Sequence, residues 1–364
     1  MTDVTAVANR VAEDLRRGRG ARSNRGSRYD RELRSDVDDG WETLGTLEAF
    51  KTTVQEERAK SIISTNDSPD LSFDQSVNPY RGCEHGCIYC YARPGHSYLG
   101  HSPGLDFETK LYAKVNASEL LERELRNPRY QPKVIALGAV TDPYQPIERS
   151  YAITRSILEV LDRASHPVGI VTKSSGVVRD IDILARMASR GLVKVAISVT
   201  SLDPKLARSM EPRAATPPKR LDAIKRLSEA GIPVTVMVAP IIPAMNDSEI
   251  ERILEAAHAA GAREAGYVLL RLPLELKELF REWLETDFPD RAKRVINILR
   301  GMHGGKDYAA TFGHRQRGSG PYADQIGARF RLAMQRLGMA RRGLRLRTDL
   351  FQRPLPAGAQ LSLF

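Results

Sequence analysis

The three cysteines of the chain lie in one short stretch and carry its most specific chemistry. Cys83, Cys87 and Cys90 have Cys-x3-Cys-x2-Cys spacing, and the sequence contains no other cysteine. Thiolates this close together usually bind a soft metal centre, which favours an iron–sulfur cluster or zinc. Most biological clusters use four cysteines, so three would leave one metal position free for reaction. Gly82 and Gly86 flank and interrupt the loop, and glycine lets the backbone approach a bulky inorganic group.

Zinc is the alternative to the iron–sulfur cluster. A Cys3His zinc site would take its fourth ligand from His85, His96 or His101, all close to the cysteines in the sequence. Structural zinc sites generally show paired ligands on two separated knuckles. The single compact group of cysteines therefore favours iron–sulfur chemistry over zinc.

The composition is that of a globular protein with a sizeable core. The chain has 364 residues, of which 41% are hydrophobic. No run of 18 or more apolar residues occurs, so we predict no membrane-spanning helix. The N-terminus is polar and arginine-rich, without the apolar stretch of a secretory signal. Together with the clustered thiols, this predicts the reducing cytoplasm and argues against disulfides.

The positive charge is concentrated near the two ends of the chain. The formal net charge is +10, with eight arginines between Arg16 and Arg34. Seven more lie between Arg329 and Arg347, with no acidic residue among them. Such a balance favours an anionic partner such as DNA or RNA, because phosphate contacts dominate affinity for nucleic acids. The alternative is that the arginine-rich ends only keep the protein solvated.

The elements that must position the cysteines follow a regular order. From about residue 70, short apolar runs alternate with amphipathic helices, which is typical of a parallel sheet covered by helices. The predicted strands are Leu71–Val77, Lys133–Gly138, Val168–Thr172, Val193–Val199, Pro233–Val238 and Gly266–Leu270. With right-handed crossovers, six such units would curl into a closed or an open, partial barrel. Chemistry then belongs at the carboxyl ends of the strands.

The two ends of the chain differ from this core. We predict a basic, partly flexible N-terminal extension over residues 1–60, with a short helix at Val4–Arg16. The Gly/Arg/Ser stretch Arg17–Gly26 has little to bury and is typical of a flexible arm. It could equally be an ordered extension that wraps the core. The core itself is predicted over residues 61–300, and a second basic extension over residues 301–364.

The cysteine motif resembles a known signature. Cys83-x3-Cys87-x-Tyr89-Cys90 is similar to the motif of the radical SAM superfamily, including the aromatic residue before the third cysteine. Its context resembles most closely a bacterial branch related to spore photoproduct lyase. The matching stretches are residues 78–94, 138–148, 172–180, 197–217 and 231–247, which together lie within about residues 61–275. The resemblance implies an α/β fold, a partial (β/α)6 TIM-type barrel with N- and C-terminal extensions.

The resemblance also implies the cofactors and the reaction type. In that superfamily three cysteines hold a [4Fe-4S] cluster, whose free iron binds S-adenosylmethionine (SAM) through its amino and carboxylate groups. One electron, from a low-potential donor of the flavodoxin or ferredoxin type, cleaves SAM to a 5′-deoxyadenosyl radical that abstracts hydrogen from substrate. By resemblance, Cys83, Cys87 and Cys90 are the cluster ligands. Tyr89 would shield the cluster or contact the adenine.

Further SAM contacts are expected after the second and third strands. Gly138 and the polar pair Thr141 and Asp142 match the positions that contact the methionyl ammonium in the superfamily. A carboxylate is a suitable partner for an ammonium, although Asp142 could instead cap the following helix, ahead of Pro143. Lys173 follows the third strand and would contact the SAM carboxylate, the alternative being an ordinary surface lysine.

The remaining candidates follow the later strands. By resemblance, Ser198 and either Glu211 or Arg213 face SAM, since hydroxyls and carboxylates suit a ribose and arginine suits a carboxylate. The alternative for the latter two is a Glu–Arg loop brace. Residues 238–243 form an apolar turn that could wall the adenine. Arg271, next to the sixth strand, is a candidate for contact with the substrate.

One departure from the family pattern leaves the substrate open. Spore photoproduct lyase uses an additional cysteine to return a hydrogen atom to its thymine substrate, and this chain has none. Tyr91, Tyr98 or Tyr144 would have to replace it. We therefore expect a lyase-like radical SAM enzyme whose substrate is unidentified, with nucleic acid as the candidate. The alternative function is a zinc-stabilised, non-catalytic nucleic-acid-binding protein on the same scaffold.

Overall fold

The computed structural model describes residues 11, 13, 16–30, 50–340 and 344–355. Most of the predicted helix Val4–Arg16 therefore lies outside the described residues. Within them, no helix combines the length and the apolar character needed to cross a lipid bilayer.

In the described part of the chain, ten strands form two sheets. In chain order they are β1 (Thr53–Glu57), β2 (Ile63–Thr65), β3 (Gln75–Val77), β4 (Tyr80–Arg81), β5 (Lys110–Lys114), β6 (Ile135–Leu137), β7 (Val168–Thr172), β8 (Val193–Ser198), β9 (Val234–Ile241) and β10 (Glu264–Leu269). The main sheet has seven strands in the order β10-β9-β8-β7-β6-β3-β2. Its pairs from β3 to β10 are parallel, and β2 is antiparallel at the edge.

The six parallel strands correspond to the six predicted apolar runs. Most side chains of β6 to β9 are apolar on both faces because helices cover one face and the interior of the curved sheet packs against the other. Val195, Ile197 and Val236 are fully buried at its centre. In the described chain β10 does not pair with β2 or β3, so the sheet stays open. The predicted α/β fold, a partial TIM-type barrel, is confirmed.

Eleven α-helices surround the sheets in the described ranges. They are α1 (Asp106–Thr109), α2 (Ala117–Leu125), α3 (Glu148–Tyr151), α4 (Ile153–Arg163), α5 (Ile181–Ser189), α6 (Pro204–Met210), α7 (Pro217–Glu229), α8 (Ile250–Ala259), α9 (Leu276–Asp287), α10 (Pro289–Met302) and α11 (Pro321–Arg336). Each crossover helix buries one apolar face; on α7, for example, Ala223, Ile224 and Leu227 are fully buried. This spacing of three and four residues is that of an amphipathic helix.

A second, three-stranded sheet supports the cysteine loop. Its order is β1-β5-β4, with β1 parallel and β4 antiparallel to β5. After β3 the chain leaves the main sheet and forms β4 before it reaches Cys83. The predicted first strand therefore does not lead directly into the cysteine loop, because a two-residue strand of the second sheet comes between them.

The N-terminal segment (residues 16–30) is packed against the core. Ala21 is fully buried, and Arg19 and Ser23 are nearly so. Ser23 Oγ donates a hydrogen bond of 2.7 Å to Glu282 Oε2 on α9, and Arg22 forms an ion pair with Asp287. Of the two alternatives for the Gly/Arg/Ser stretch, the ordered extension is the one that the structure shows.

The C-terminal strap (residues 311–318) crosses the open side of the main sheet. On one edge the Leu269 amide, at the end of β10, donates to the Gln316 carbonyl over 2.9 Å. On the other edge, between β2 and β3, Asp70 accepts hydrogen bonds from the Gly313 amide over 2.7 Å and from Arg315 Nε over 2.6 Å. The strap thus connects the two edges that strand pairing leaves apart.

Candidate active site

A cavity of about 230 Å³ lies at the carboxyl ends of the parallel strands. All three cysteine thiols line it. So do six of the other predicted site residues, which come from the cysteine loop and from the ends of β6, β7 and β8: Tyr89, Gly138, Thr141, Asp142, Lys173 and Ser198. The structure therefore brings together nine of the eleven predicted residues. Glu211 and Arg213 are not part of the cavity wall.

The three cysteines are free thiols turned towards this cavity. Cys83 and Cys87 are buried and Cys90 is half-buried. Burial raises the pKa of Cys83 well above its ordinary value and that of Cys87 to about 12. Buried thiols become thiolates most readily when a metal compensates the charge. Three soft donors on one wall of a cavity are the donor set that fits an iron–sulfur cluster.

The histidines near the cysteines have other contacts. His85 Nδ1 lies 3.3 Å from Asp142 Oδ2, and His101 Nε2 is hydrogen-bonded to the Tyr112 hydroxyl over 2.6 Å. His96 is buried edge-on against Phe107. Across the described ranges, no three Cys, His, Asp or Glu side chains are arranged to hold a single ion.

Close backbone contacts explain the glycines of the cysteine loop. Gly82 and Gly86 have φ of +71° and +68°, a region that side chains rarely adopt. A Cβ atom on Gly86 would also lie 2.7 Å from Glu108 Oε2. The loop can therefore follow this path only with glycine at these positions.

Asp142 is an ionised carboxylate on the cavity wall. Burial alone would raise its pKa, but the adjacent His85 and the hydrogen bonds from the Lys173 amide (2.8 Å) and the Thr172 hydroxyl (2.7 Å) lower the pKa to about 2. Asp142 also accepts a hydrogen bond of 2.9 Å from the Tyr144 amide. It thus caps the following turn and lines the cavity, so the two predicted roles are compatible.

Lys173 places a positive charge beside Tyr89. Its Nζ lies 5.6 Å from the centre of the Tyr89 ring. Burial lowers the pKa of Lys173, but its interactions with the nearby Cys87 and Glu211 outweigh this and raise the pKa above the ordinary value. Lys173 is therefore a charged group at the cavity rather than a solvated surface lysine.

Glu211 lies beneath the cavity, where it holds Tyr89. Its carboxylate accepts hydrogen bonds from the Tyr89 hydroxyl and, over 2.6 Å, from the Thr200 hydroxyl, and it forms an ion pair with Arg220. Burial would raise the pKa of Glu211, but Arg220 and Lys173 lower it. Glu211 does not line the cavity and is engaged in holding Tyr89, so its direct contact with SAM stays a prediction.

Arg213 lies behind the cysteine loop. Its side chain is 39% exposed and pairs with Glu84 over 3.0 Å, and its amide donates to the His85 carbonyl over 3.2 Å. Both residues thus take part in Glu–Arg ion pairs, as the alternative predicted, but not with each other. Arg213 pairs with Glu84, and Glu211 pairs with Arg220. The loop 211–213 turns Glu211 inwards and Arg213 outwards, so the two cannot share one partner.

Of the three candidate tyrosines, Tyr91 lines the cavity and the other two do not. Tyr98 is 73% exposed and packs on Tyr29. Tyr144 is buried with its hydroxyl donating to Asp180 over 3.0 Å. Arg271, the substrate-side candidate, also lines the cavity and stacks on the Tyr91 ring with its guanidinium carbon 4.5 Å from the ring centre.

Comparison with known proteins identifies the family. Residues 77–257 match the family model described as the radical SAM superfamily. An uncharacterised protein of Mycobacterium tuberculosis is 38% identical over 232 residues, which cover 63% of this chain and 68% of that protein. The chain belongs to the radical SAM superfamily. A second uncharacterised relative, from Methanocaldococcus jannaschii, is 28% identical over 240 residues, covering 66% of this chain and 85% of its own.

Solved radical SAM structures share the fold. Spore photoproduct lyase complexed with dinucleoside spore photoproduct superimposes with a TM-score of 0.55 at 16% identity, covering 79% of this chain and 80% of that one. Membership of the superfamily makes the chain an enzyme and implies a [4Fe-4S] cluster and SAM as its cofactors. The three cysteines of the motif would hold the cluster, and the cavity that they line would receive SAM.

Three supporting residues of this radical SAM site were missed from the sequence. Asn78 Oδ1 accepts from the Val140 amide over 2.9 Å and so fixes the loop after β6. The buried Gln145 amide bridges the Gly82 carbonyl (3.2 Å) and the Glu84 amide (2.9 Å).

Arg220 is the third, and for this residue a signal was present. It continues the apolar stripe of α7 formed by Ala223, Ile224 and Leu227, three, four and seven residues further on. An arginine in such a stripe must be paired when buried. Arg220 is 1% exposed and forms an ion pair with Glu211.

Proposed function

We propose that this chain is a cytoplasmic radical SAM enzyme that cleaves SAM reductively at a [4Fe-4S] cluster held by Cys83, Cys87 and Cys90. The 5′-deoxyadenosyl radical produced from SAM would abstract a hydrogen atom from the substrate. One observation carries the proposal: the three free thiols and the polar ends of β6, β7 and β8 face the same cavity. A low-potential electron donor of the flavodoxin or ferredoxin type would supply the electron.

The charged residues of the cavity suit the amino-acid part of SAM. Lys173 offers a cation for its carboxylate and Asp142 an anion for its ammonium, and charge-assisted hydrogen bonds are roughly twice as strong as neutral ones. Gly138 and Thr141, next to Asp142, would add contacts of the loop after β6, since both line the same wall. Asp142 follows β6 and Lys173 follows the neighbouring strand β7, so their charges are close enough to bind the ammonium and the carboxylate of one SAM molecule.

The remaining residues suit the nucleoside part and exclude water. Ser198 offers a hydroxyl for the ribose, while Tyr89, Ala239 and Pro240 offer flat apolar surface for the adenine. Glu211 and Thr200 hold the Tyr89 hydroxyl from below. An apolar enclosure limits side reactions of a reactive species with water.

The substrate side of the cavity is formed by Tyr91 and Arg271. We propose Tyr91 as the residue that replaces the absent cysteine as hydrogen donor, since the other two candidate tyrosines lie elsewhere. Substitution of Tyr91 by Phe should leave SAM cleavage intact and lower the yield of the final product once a substrate is identified. Unchanged product yield with the Phe variant would remove Tyr91 from this role.

Nucleic acid is the candidate substrate or partner, supported by the net charge of +10. In the N-terminal segment, Arg16, Arg19 and Arg22 are engaged inside the protein, and the exposed Arg28 is paired with Glu275 at the surface. The exposed arginines of the C-terminal region, such as Arg331 and Arg345, are therefore the better test. Replacing both by Gln should weaken binding of single-stranded DNA or RNA and flatten its salt dependence. An unchanged gel-shift titration would remove these arginines from the proposal.

The decisive experiment is anaerobic purification followed by SAM cleavage. We expect a brown protein with about four iron atoms per chain that releases 5′-deoxyadenosine from SAM after chemical reduction. The triple variant with Ser at positions 83, 87 and 90 should lose both the iron and the product. A colourless wild-type protein with one zinc ion would support the non-catalytic alternative and overturn the proposal.

A further inference from the structure

The back of the cysteine loop is held by a fully buried arginine. Arg93 is 0% exposed. Its guanidinium donates to the carbonyls of Cys87 (2.9 Å) and Gly86 (3.1 Å) in the loop, and to those of Pro103 (3.1 Å) and Gly104 (2.9 Å). Arg93 therefore ties the backbone between two of the cysteines to the segment that precedes α1.

Glu108 connects this arginine to the N-terminal segment. It is also 0% exposed, and its Oε1 lies 2.5 Å from Arg93 Nη2. The same carboxylate accepts hydrogen bonds from the Gly20 amide (2.9 Å) and the Ala21 amide (2.8 Å). Removing either member of a buried ion pair leaves an uncompensated charge, which is strongly destabilising. The pair can hold the loop firmly because it is closed off from water.

Gly20 is packed directly onto the loop. A Cβ atom at this position would lie 1.9 Å from the Gly86 carbonyl oxygen. The neighbouring Arg19 donates to the Glu108 carbonyl over 3.2 Å and to the Phe50 carbonyl over 2.9 Å. The N-terminal segment thus approaches the cysteine loop so closely that no side chain fits at Gly20, and residues 19–21 do not line the cavity.

We propose that residues 19–21, acting through Glu108 and Arg93, are positioning residues of the cluster loop. They fix the Gly86 and Cys87 carbonyls and thereby keep the three thiols directed into one cavity. This inference rests on the proposed function, because it assumes that the thiols hold a cluster. It assigns to the N-terminal segment a role within the metal site, although the segment contributes no ligand.

The test compares two substitutions in the full chain with matched controls. Gly20→Ala introduces the clash with Gly86, and Glu108→Gln leaves Arg93 uncompensated. Gly95→Ala is the first control, since a Cβ atom there meets nothing within 4 Å, and Glu119→Gln is the second, since that side chain is 76% exposed. After anaerobic reconstitution, the rate of iron release to a chelator is measured at a temperature where circular dichroism shows every variant to be folded.

We expect Gly20→Ala and Glu108→Gln to release iron about 10- to 100-fold faster than wild type, the range typical for lost outer-shell support of a metal site. Both controls should match wild type. Arg22→Ala serves to separate positioning from general stability, because it breaks the ion pair with Asp287 in the same segment without touching the loop. It should lower the melting temperature but leave the rate of iron release unchanged.

The outcomes distinguish this inference from the proposed function. If wild type binds no iron, the proposed function itself is wrong. If wild type binds a cluster and cleaves SAM, while the folded Gly20→Ala and Glu108→Gln proteins retain iron equally well, the positioning role alone is overturned. Should a variant not fold, hydrogen–deuterium exchange on the unsubstituted apoprotein decides. The proposal then requires the amides of residues 83–93 to exchange at the same rate as those of residues 16–22. Fast exchange of the loop amides while those of residues 16–22 stay protected would contradict it.

Discussion

The two sides of the cysteine loop use charge in opposite ways. On the back, Arg93 and Glu108 are fully buried and satisfy each other and the surrounding backbone. On the cavity side, no carboxylate in the described part of the chain forms an ion pair with Lys173, although the negative charges around it keep it protonated. A fully paired buried charge such as that of Arg93 stabilises the structure. A charged side chain without an ion-pair partner, such as Lys173, is suited to bind a ligand.

The largest effect should follow from breaking the back of the loop. Arg93→Ala leaves Glu108 buried without its partner, which should lower the free energy of unfolding by about 3–5 kcal/mol. Arg81→Ala is the control, since the Arg81–Glu57 pair is partly exposed and such pairs contribute at most about 1 kcal/mol. Urea denaturation of the apoproteins measures both. If Arg93→Ala lowers the free energy of unfolding no more than Arg81→Ala does, the proposed difference between the two sides of the loop is wrong.

On the cavity side, the same kind of change should affect binding rather than folding. If the proposed function is right, Lys173→Met would remove a charge-assisted hydrogen bond to SAM, worth about 1.5–3 kcal/mol, so the Kd for SAM should rise about 10- to 100-fold. The free energy of unfolding should hardly change, since no ion pair is broken. Calorimetric titration of the reconstituted enzyme measures the affinity, with Lys219→Met as the exposed control. Unaltered affinity would show that Lys173 does not contact SAM.

A smaller effect is expected at the strap. Arg315→Ala removes one of the two hydrogen bonds that Asp70 accepts. Proteolysis between residues 311 and 318 should become faster, while iron content and SAM affinity stay at wild-type levels. A loss of iron in this variant would mean that the strap, too, supports the cysteine loop.

The smallest effect should come from Arg213, which the sequence suggested as a SAM contact. Its side chain is 39% exposed, so Arg213→Ala should lower the free energy of unfolding by less than about 1 kcal/mol. The Kd for SAM should not change measurably, because Arg213 pairs with Glu84 and does not line the cavity. A clear loss of SAM affinity would instead support the predicted contact of Arg213 with SAM.

Much of this arrangement follows from short-range patterns in the sequence. Continuous apolar runs predict the six parallel strands. The position of Lys173 directly after one run, and of Ser198 near the end of another, places both residues at the cavity. Glu211 shows where this reasoning stops. Its partner Arg220 lies on the next helix, α7. Whether Arg213 or Arg220 pairs with Glu211 depends on how α7 packs against β8, which the sequence alone does not show.

The N-terminal segment could not be predicted for a related reason. Its composition is that of a flexible arm, and it buries few apolar side chains. It is held by backbone amides that meet Glu108, 88 residues from Gly20 in the sequence. Backbone hydrogen bonds of this kind leave no pattern in the side chains of the segment itself.

The strap would limit the directions from which a substrate can approach the cavity. An open partial barrel offers a gap between its first and last strands, through which a long molecule could lie sideways across the interior. Here the strap spans that gap, because it is hydrogen-bonded to Leu269 on one side and to Asp70 on the other. We therefore expect a macromolecular substrate to react at a unit that projects from the polymer. This unit would enter the cavity end-on, past Tyr91 and Arg271.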